Sequence, residues 1–184
     1  MKNLRYSLFL LVLALSACAP WTIVDPDNRG ITVKQDYAVV APLGWVRKNY
    51  DVYDVFFSRD GPLLNFVASY REKHDRELAR TKRKTSPDLL PHEVAELVIA
   101  EQKAGGTRGA FMVVSNNPTT IGGKPAVRVH TRWKTERGLP IERLTYALVD
   151  QKGRLAFIYE APALVYFPKG LADFEAMMKS VVFL

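Results

Sequence analysis

The sequence predicts an α+β protein, with an antiparallel sheet of six or seven strands flanked by helices. Three observations lead there. Short segments alternate apolar and polar residues and are rich in β-branched and aromatic side chains. Turn-forming residues, often glycine, separate those segments at hairpin spacing. Two further stretches, one central and one near the C-terminus, carry apolar residues at helical spacing instead.

Residues 31–40 read as one strand, closed by Pro42-Leu43-Gly44-Trp45, a turn with a bulky anchor. Residues 52–58 and 63–73 read as strands around Arg59-Asp60-Gly61-Pro62, where Asp-Gly is a strong hairpin signal. Residues 74–90 are polar and basic without a clear period, and read as a surface loop. Pro91 can open a helix, because its missing N–H is harmless in the first turn. Val94, Leu97 and Val98 follow at helical spacing, ahead of a Gly105-Gly106 stop. Residues 111–114, 126–133, 141–149 and 155–160 read as four more strands, divided by Gly122-Gly123, Arg137-Gly138 and Gln151-Lys152-Gly153. Leu171, Phe174, Met178 and Val181 form the stripe of a closing helix.

Strands, one helix, more strands and a final helix imply helices covering an antiparallel sheet. At this point the chain resembles a known superfamily. Residues 37–45, a hydrophobic strand running into Pro-Leu-Gly-Trp, resemble the opening of the PsbP/Mog1/DcrB superfamily. Residues 166–183, from Tyr166-Phe167 through Phe174 to Ser180-Val181-Val182-Phe183, resemble its closing helix and strand. Residues 121–128 and 159–162 are similar to its hairpins. The resemblance covers most of residues 31–184. It implies a PsbP/Mog1-like fold and a role in binding or assembly rather than catalysis; it brings no functional-residue motif with it.

The N-terminal segment gives an address. Lys2 and Arg5 precede an apolar run over residues 6–15, and small residues follow it. A transmembrane helix needs about 20 apolar residues, whereas a signal-peptide core needs only about 7–15. Leu15-Ser16-Ala17-Cys18 resembles the bacterial lipobox, and Cys18 is the only cysteine. That resemblance implies a diacylglyceryl thioether on Cys18 and cleavage before it. The expected organisation is a lipoprotein signal peptide over residues 1–17, an acylated N-terminus and flexible tether over 18–30, and one domain over 31–184. Ala19, rather than Asp, follows the cysteine, which in a diderm host places the lipoprotein on the periplasmic face of the outer membrane.

Removing residues 1–17 leaves 167 residues, enough for one self-sufficient core. It also removes Lys2 and Arg5, leaving 24 Lys and Arg against 19 Asp and Glu, a net +5. Such charge attracts anionic lipid, acidic glycans or other acidic partners, and nucleic acid is not expected for an exported protein. With its single thiol acylated, the mature chain has no disulfide, thiolate metal site or redox pair. No cofactor is expected.

Four groups of residues merit testing for chemistry. His92 and Glu96 resemble the zincin HExxH, but the second ligand is Glu, and two ligands alone do not hold a metal. Alternation puts Arg128, His130 and Arg132 on one face of a strand, opposite Val127, Val129, Thr131 and Trp133. Two guanidiniums and an imidazole can hold a carboxylate or phosphate. On a solvated outer face they pair instead with acids such as Glu142. Residues 71–84 hold seven Lys and Arg against three acids, densest at Arg80, Lys82, Arg83 and Lys84, a contact surface for anionic lipid or an acidic partner. The sequence contains no Gly-x-Ser-x-Gly, P-loop or Gly-x-Gly-x-x-Gly. The leading expectation is therefore a membrane-anchored, non-catalytic envelope lipoprotein that binds a partner or ligand or assembles an envelope component. The rival is a hydrolase of an envelope polymer using His130 or His92 with a carboxylate.

Overall fold

A computed structural model of the chain describes residues 21–48, 53–105 and 109–184. The signal segment, Cys18, Ala19, Val52 and Gly106 lie outside the described residues. In chain order the elements are β1 (Trp21–Ile23), β2 (Gly30–Val33), β3 (Tyr37–Val40), β4 (Val46–Lys48), β5 (Val55–Ser58) and β6 (Phe66–Glu72). Then come α1 (Pro91–Lys103), β7 (Gly109–Ile121), β8 (Lys124–Lys134), β9 (Pro140–Asp150), β10 (Gly153–Pro162), α2 (Tyr166–Lys179) and β11 (Val182–Phe183).

The main sheet has eight strands in the order β1-β4-β5-β6-β10-β9-β8-β7, all antiparallel, and β11-β3-β2 form a second sheet. Six or seven strands were expected. Two three-residue strands that were not expected, β1 and β4, join the main sheet, whereas residues 31–40 leave it. Residues 31–40 are not one strand but a hairpin of the small sheet, turned at Lys34 and Gln35 with φ of 47° and 53°. A left-handed turn made by non-glycine residues carries no sequence signal. In addition, the segment read as a tether enters the fold from Trp21 onward. Trp21–Ile23 pairs with β4, Val24 is buried and donates its N–H to the Trp45 carbonyl at 3.0 Å, and Arg29 donates to the Ala41 carbonyl at 2.8 Å. A three-residue strand is too short to show a period.

Each face of the main sheet has its own cover. On one, Val55, Phe57, Val67, Leu144, Tyr146, Leu155, Phe157 and Tyr159 pack against Phe167, Phe174, Met177 and Met178 of α2 and against Tyr37 and Val39 of the small sheet. Trp45 is fully buried there, held over the Gly44 turn (φ 74°), and its indole N–H donates to Asp173 at 2.9 Å. Gly170 lets α2 come this close, since a Cβ there would sit 2.5 Å from the Tyr159 hydroxyl and 3.2 Å from the Trp45 ring. On the other face, Val94, Ala95 and Val98 of α1 pack on Val127, Val129, Ala147 and Ala156. Pro91 opens α1, and Glu93 accepts the Leu90 N–H at 2.8 Å, satisfying one donor of the first turn. Among the described residues no helix is long and apolar enough to cross a membrane.

An ion network ties the small sheet to the large one. Arg71 donates to Asp36 and Asp150, each at 2.7 Å; Lys152 reaches Asp36 at 2.7 Å and Lys124 reaches Asp150 at 2.9 Å. Burial pushes the Asp150 carboxyl up, but Lys124, Arg71 and the Lys152 N–H outweigh it and hold it below the usual carboxylate range. Residues 74–90 run over the surface, yet Leu78 and Thr85 are buried. His74 joins Thr85 to the Asp150 carbonyl with two contacts of 2.8 Å.

Two outcomes follow. A chain beginning at Trp21 should melt several degrees above one beginning at Ile31, which lacks β1 and Val24, at about 2–4 °C per kcal/mol for a domain of this size. Equal melting temperatures would mean that residues 21–30 add nothing to the fold. Asp150→Asn should cost about 1–3 kcal/mol at neutral pH. Because the folded-state pKa is depressed, the Asp150 contribution is complete above the unfolded value of about 3.9 and disappears as pH falls through the folded value. Urea titrations of wild type and variant should therefore converge in acid; a gap unchanged by pH contradicts the assignment.

Candidate functional site

A helix of 13 residues is about 20 Å long, and α1 lies mainly over β7, β8 and β9, reaching β10 at Ala156. The neighbouring part of that face, over β6 and β10, is left beside α1 and the 74–90 loop. A cavity of about 410 Å³ opens there, a size that suits a small organic ligand.

Its chemistry comes from strands that are otherwise apolar. Arg154, only 2 % exposed, donates through Nε (2.8 Å) and Nη2 to a single Glu72 oxygen, with its guanidinium 5.9 Å from the Tyr70 ring. Arg143 donates through Nε (2.6 Å) and Nη2 to Glu160, and lies 5.4 Å from the Trp133 ring. Both arginines are thus tied along one edge, and neither Nη1 has a hydrogen-bond partner among the described residues. Tyr53, Phe66 and Tyr70 form an aromatic wall, and Val98 and Ile158 add aliphatic surface. Burial pushes the Tyr70 hydroxyl up although Arg154 pulls it down, so it stays a neutral donor at physiological pH.

The rim is also ordered. Gln102, buried on α1, donates to Thr145 at 3.1 Å and accepts from Thr131 at 2.6 Å. Glu101 accepts the Thr81 N–H at 2.5 Å and the Arg80 N–H at 3.3 Å, fixing the loop against the helix. Burial alone pushes the Glu101 carboxyl up, but these bonds hold it below its ordinary value. A second cavity, about 340 Å³, lies at the other end of α1 and is mostly apolar, with Leu89, Pro91, Val94, Pro125 and Val149 among its walls. Its Lys124 is already paired with Asp150.

The residues singled out from sequence fall elsewhere. Arg128, His130 and Arg132 do share a face and meet acids including Glu142, but α2 covers that face at Arg128 and His130 and leaves Arg132 exposed. The cause is long-range: α2 packs back over β8, so Arg128 reaches Glu175 at 2.7 Å and the His130 ring stacks on Phe167 at 5.2 Å and 6°. His130 also meets Glu142 at 2.7 Å, and Arg132 donates to the same carboxylate at 2.9 Å. The chain's own acids thus hold all three. His130–Glu142 is a histidine–carboxylate pair, but it lines neither cavity described above. His92 and Glu96 are exposed on α1, and no group of three or more potential metal ligands occurs among the described residues. In the basic segment, Arg80 is fastened to Glu101, while Lys82, Arg83 and Lys84 are exposed.

Arg143, Arg154, Tyr70 and Gln102 were not anticipated as a site. Their one signal is a charged or amide side chain set within an apolar run, as in Pro140–Asp150 and Gly153–Pro162.

No protein-family model matches the chain, and no curated protein matches it in sequence. Among solved structures, PsbP (CyanoP) from the cyanobacterium Synechocystis sp. PCC 6803 is similar over 92% of this chain and 95% of its own, with a TM-score of 0.53 and 15% identity. A protein from Bacteroides thetaiotaomicron VPI-5482 is similar over 85% of this chain, with a TM-score of 0.52 and 8% identity; the chain spans 48% of that protein's length. At such identity the likeness is one of fold, and the fold is PsbP-like.

Proposed function

We propose that this protein is a non-catalytic binding protein of the bacterial cell envelope, lipid-anchored through Cys18, whose cavity beside α1 takes an anionic, amphipathic ligand. One observation carries the reading: Arg143 and Arg154, each held by a carboxylate, line the same cavity as a wall of aromatic rings. A carboxylate or phosphate accepts from such donors, and charge-assisted bonds of this kind are the strong ones. The aromatic wall offers apolar surface for the remainder of the molecule. Glu72 and Glu160 balance the two cations. The lipid anchor rests on Leu15-Ser16-Ala17-Cys18, and the exposed Lys82, Arg83 and Lys84 remain the contact proposed for anionic headgroups.

The rival reading, a hydrolase, draws on the His130–Glu142 pair. Against it, the pair lies outside both cavities, Phe167 covers one face of the ring, and Arg132 shares the carboxylate.

Dodecyl phosphate, kept below its micelle concentration and titrated into the purified protein by calorimetry, tests the reading. The double variant Arg143→Gln with Glu160→Gln removes both charges together and should weaken binding about 10- to 100-fold, equal to a charged hydrogen bond of about 1.5–3 kcal/mol. Inorganic phosphate and dodecanol should each bind far more weakly than dodecyl phosphate. Equal affinity for wild type and double variant, or no binding to either, would overturn the cavity assignment. Mass spectrometry of membrane-fraction protein should find the diacylglyceryl modification on Cys18, and Cys18→Ser should abolish it.

A further inference from the structure

The strand β1 starts at Trp21, so only Ala19 and Pro20 stand in the sequence between Cys18 and the main sheet. Three residue steps reach at most about 11 Å. An acyl chain on Cys18 therefore cannot leave the domain floating clear of the bilayer; it brings the β1 edge down to the headgroups. From this we infer that the β1–β4 edge of the main sheet is a membrane-apposed surface, and that its occupant is the bilayer holding Cys18. The inference rests on the acylation of Cys18 proposed above.

The surface of that edge has the right character. β1 is the edge strand, and Ile23 is 78% exposed. Ile23 pairs with Val46, and Val46 with Ser58, so the loops flanking β4 and β5 gather at the same corner. They present Leu43, Leu64 and, at 95% exposure, Leu63. Trp21 is half-buried, with Lys48 opposite it and Arg47 opposite Thr22. Tryptophan beside cations is the composition favoured at the level of lipid headgroups. Asp25 and Asp27, in the turn after β1, match Arg47 and Lys48 in number. Little net charge remains, so the contact is apolar and should resist salt.

The same edge adjoins the cavity. Trp21 packs edge-on against Phe56 at 5.9 Å, Phe56 stacks on Phe66 at 5.5 Å, Tyr53 lies 5.5 Å from Phe56, and Tyr70 lies 6.3 Å from Tyr53. Phe66, Tyr53 and Tyr70 line the cavity. A continuous run of ring contacts thus joins the third residue after the anchor to the proposed ligand site.

Tryptophan fluorescence tests the placement, because Trp45 and Trp133 are buried and only Trp21 is in reach of lipid. The full acylated protein is reconstituted in phosphatidylethanolamine–phosphatidylglycerol vesicles carrying a nitroxide just below the headgroup. The expected result is quenching of one component of the emission, at low and high salt alike. Trp21→Phe should remove that component. Leu63→Asp, at a site too exposed to affect folding, should remove most of the quenching. Unquenched emission from protein that is acylated by mass spectrometry overturns the inference and leaves the anchor standing; an unacylated N-terminus overturns both. Equal quenching in wild type and Trp21→Phe also overturns it.

Discussion

An eight-stranded antiparallel sheet has two faces to cover, and this chain covers them unequally. The face under α2 is sealed by the helix, the small sheet and Trp45, with Gly170 allowing close approach. The face under α1 is covered mainly over β7 to β9. Apolar surface left open beside the helix would cost about 25 cal/mol per Å² in lost burial. The chain instead fills that half with tyrosines, a phenylalanine and two arginines, each arginine offset by a glutamate. The cavity is thus a consequence of how the sheet is covered.

The same asymmetry explains the sequence-chosen arginines of β8. Arg128, His130 and Arg132 lie on the sealed side, where carboxylates from α2 and β9 meet them. A buried or half-buried cation must find such a partner, because an unpaired one carries a large desolvation cost. On the open side Arg143 and Arg154 have carboxylates too, Glu160 and Glu72. What sets these two arginines apart is that both line the cavity beside α1.

Much of the fold was legible because local chemistry dictates it. Glycines at Gly122-Gly123, Gly138 and Gly153, all with positive φ, marked the hairpins of the C-terminal half. Pro91 marked the start of α1, and Phe174 and Met178 the inner side of α2. The turn at Lys34-Gln35 was not legible, since non-glycine residues adopt its left-handed conformation only under tertiary constraint from Asp36 and Arg71. Nor was β1, whose three residues gain their strand geometry from β4. Of the site, the alternation on β8 was readable but not which face α2 would cover. Arg143 and Arg154 were hidden because each reads locally as an ordinary charge in a strand; only the register of β6, β9 and β10 brings them to one cavity.

The central claim is that the working surface of this molecule is the half-covered face beside α1. Nuclear magnetic resonance on an isotope-labelled chain from Trp21, with and without dodecyl phosphate, tests it most directly. The account predicts shifts at Tyr70, Gln102, Arg143 and Arg154, with a contact from the alkyl chain to Phe66 or Tyr53, while Arg128, His130 and Arg132 stay unmoved. Shifts concentrated at Arg128, His130 and Arg132 with the cavity silent would contradict it.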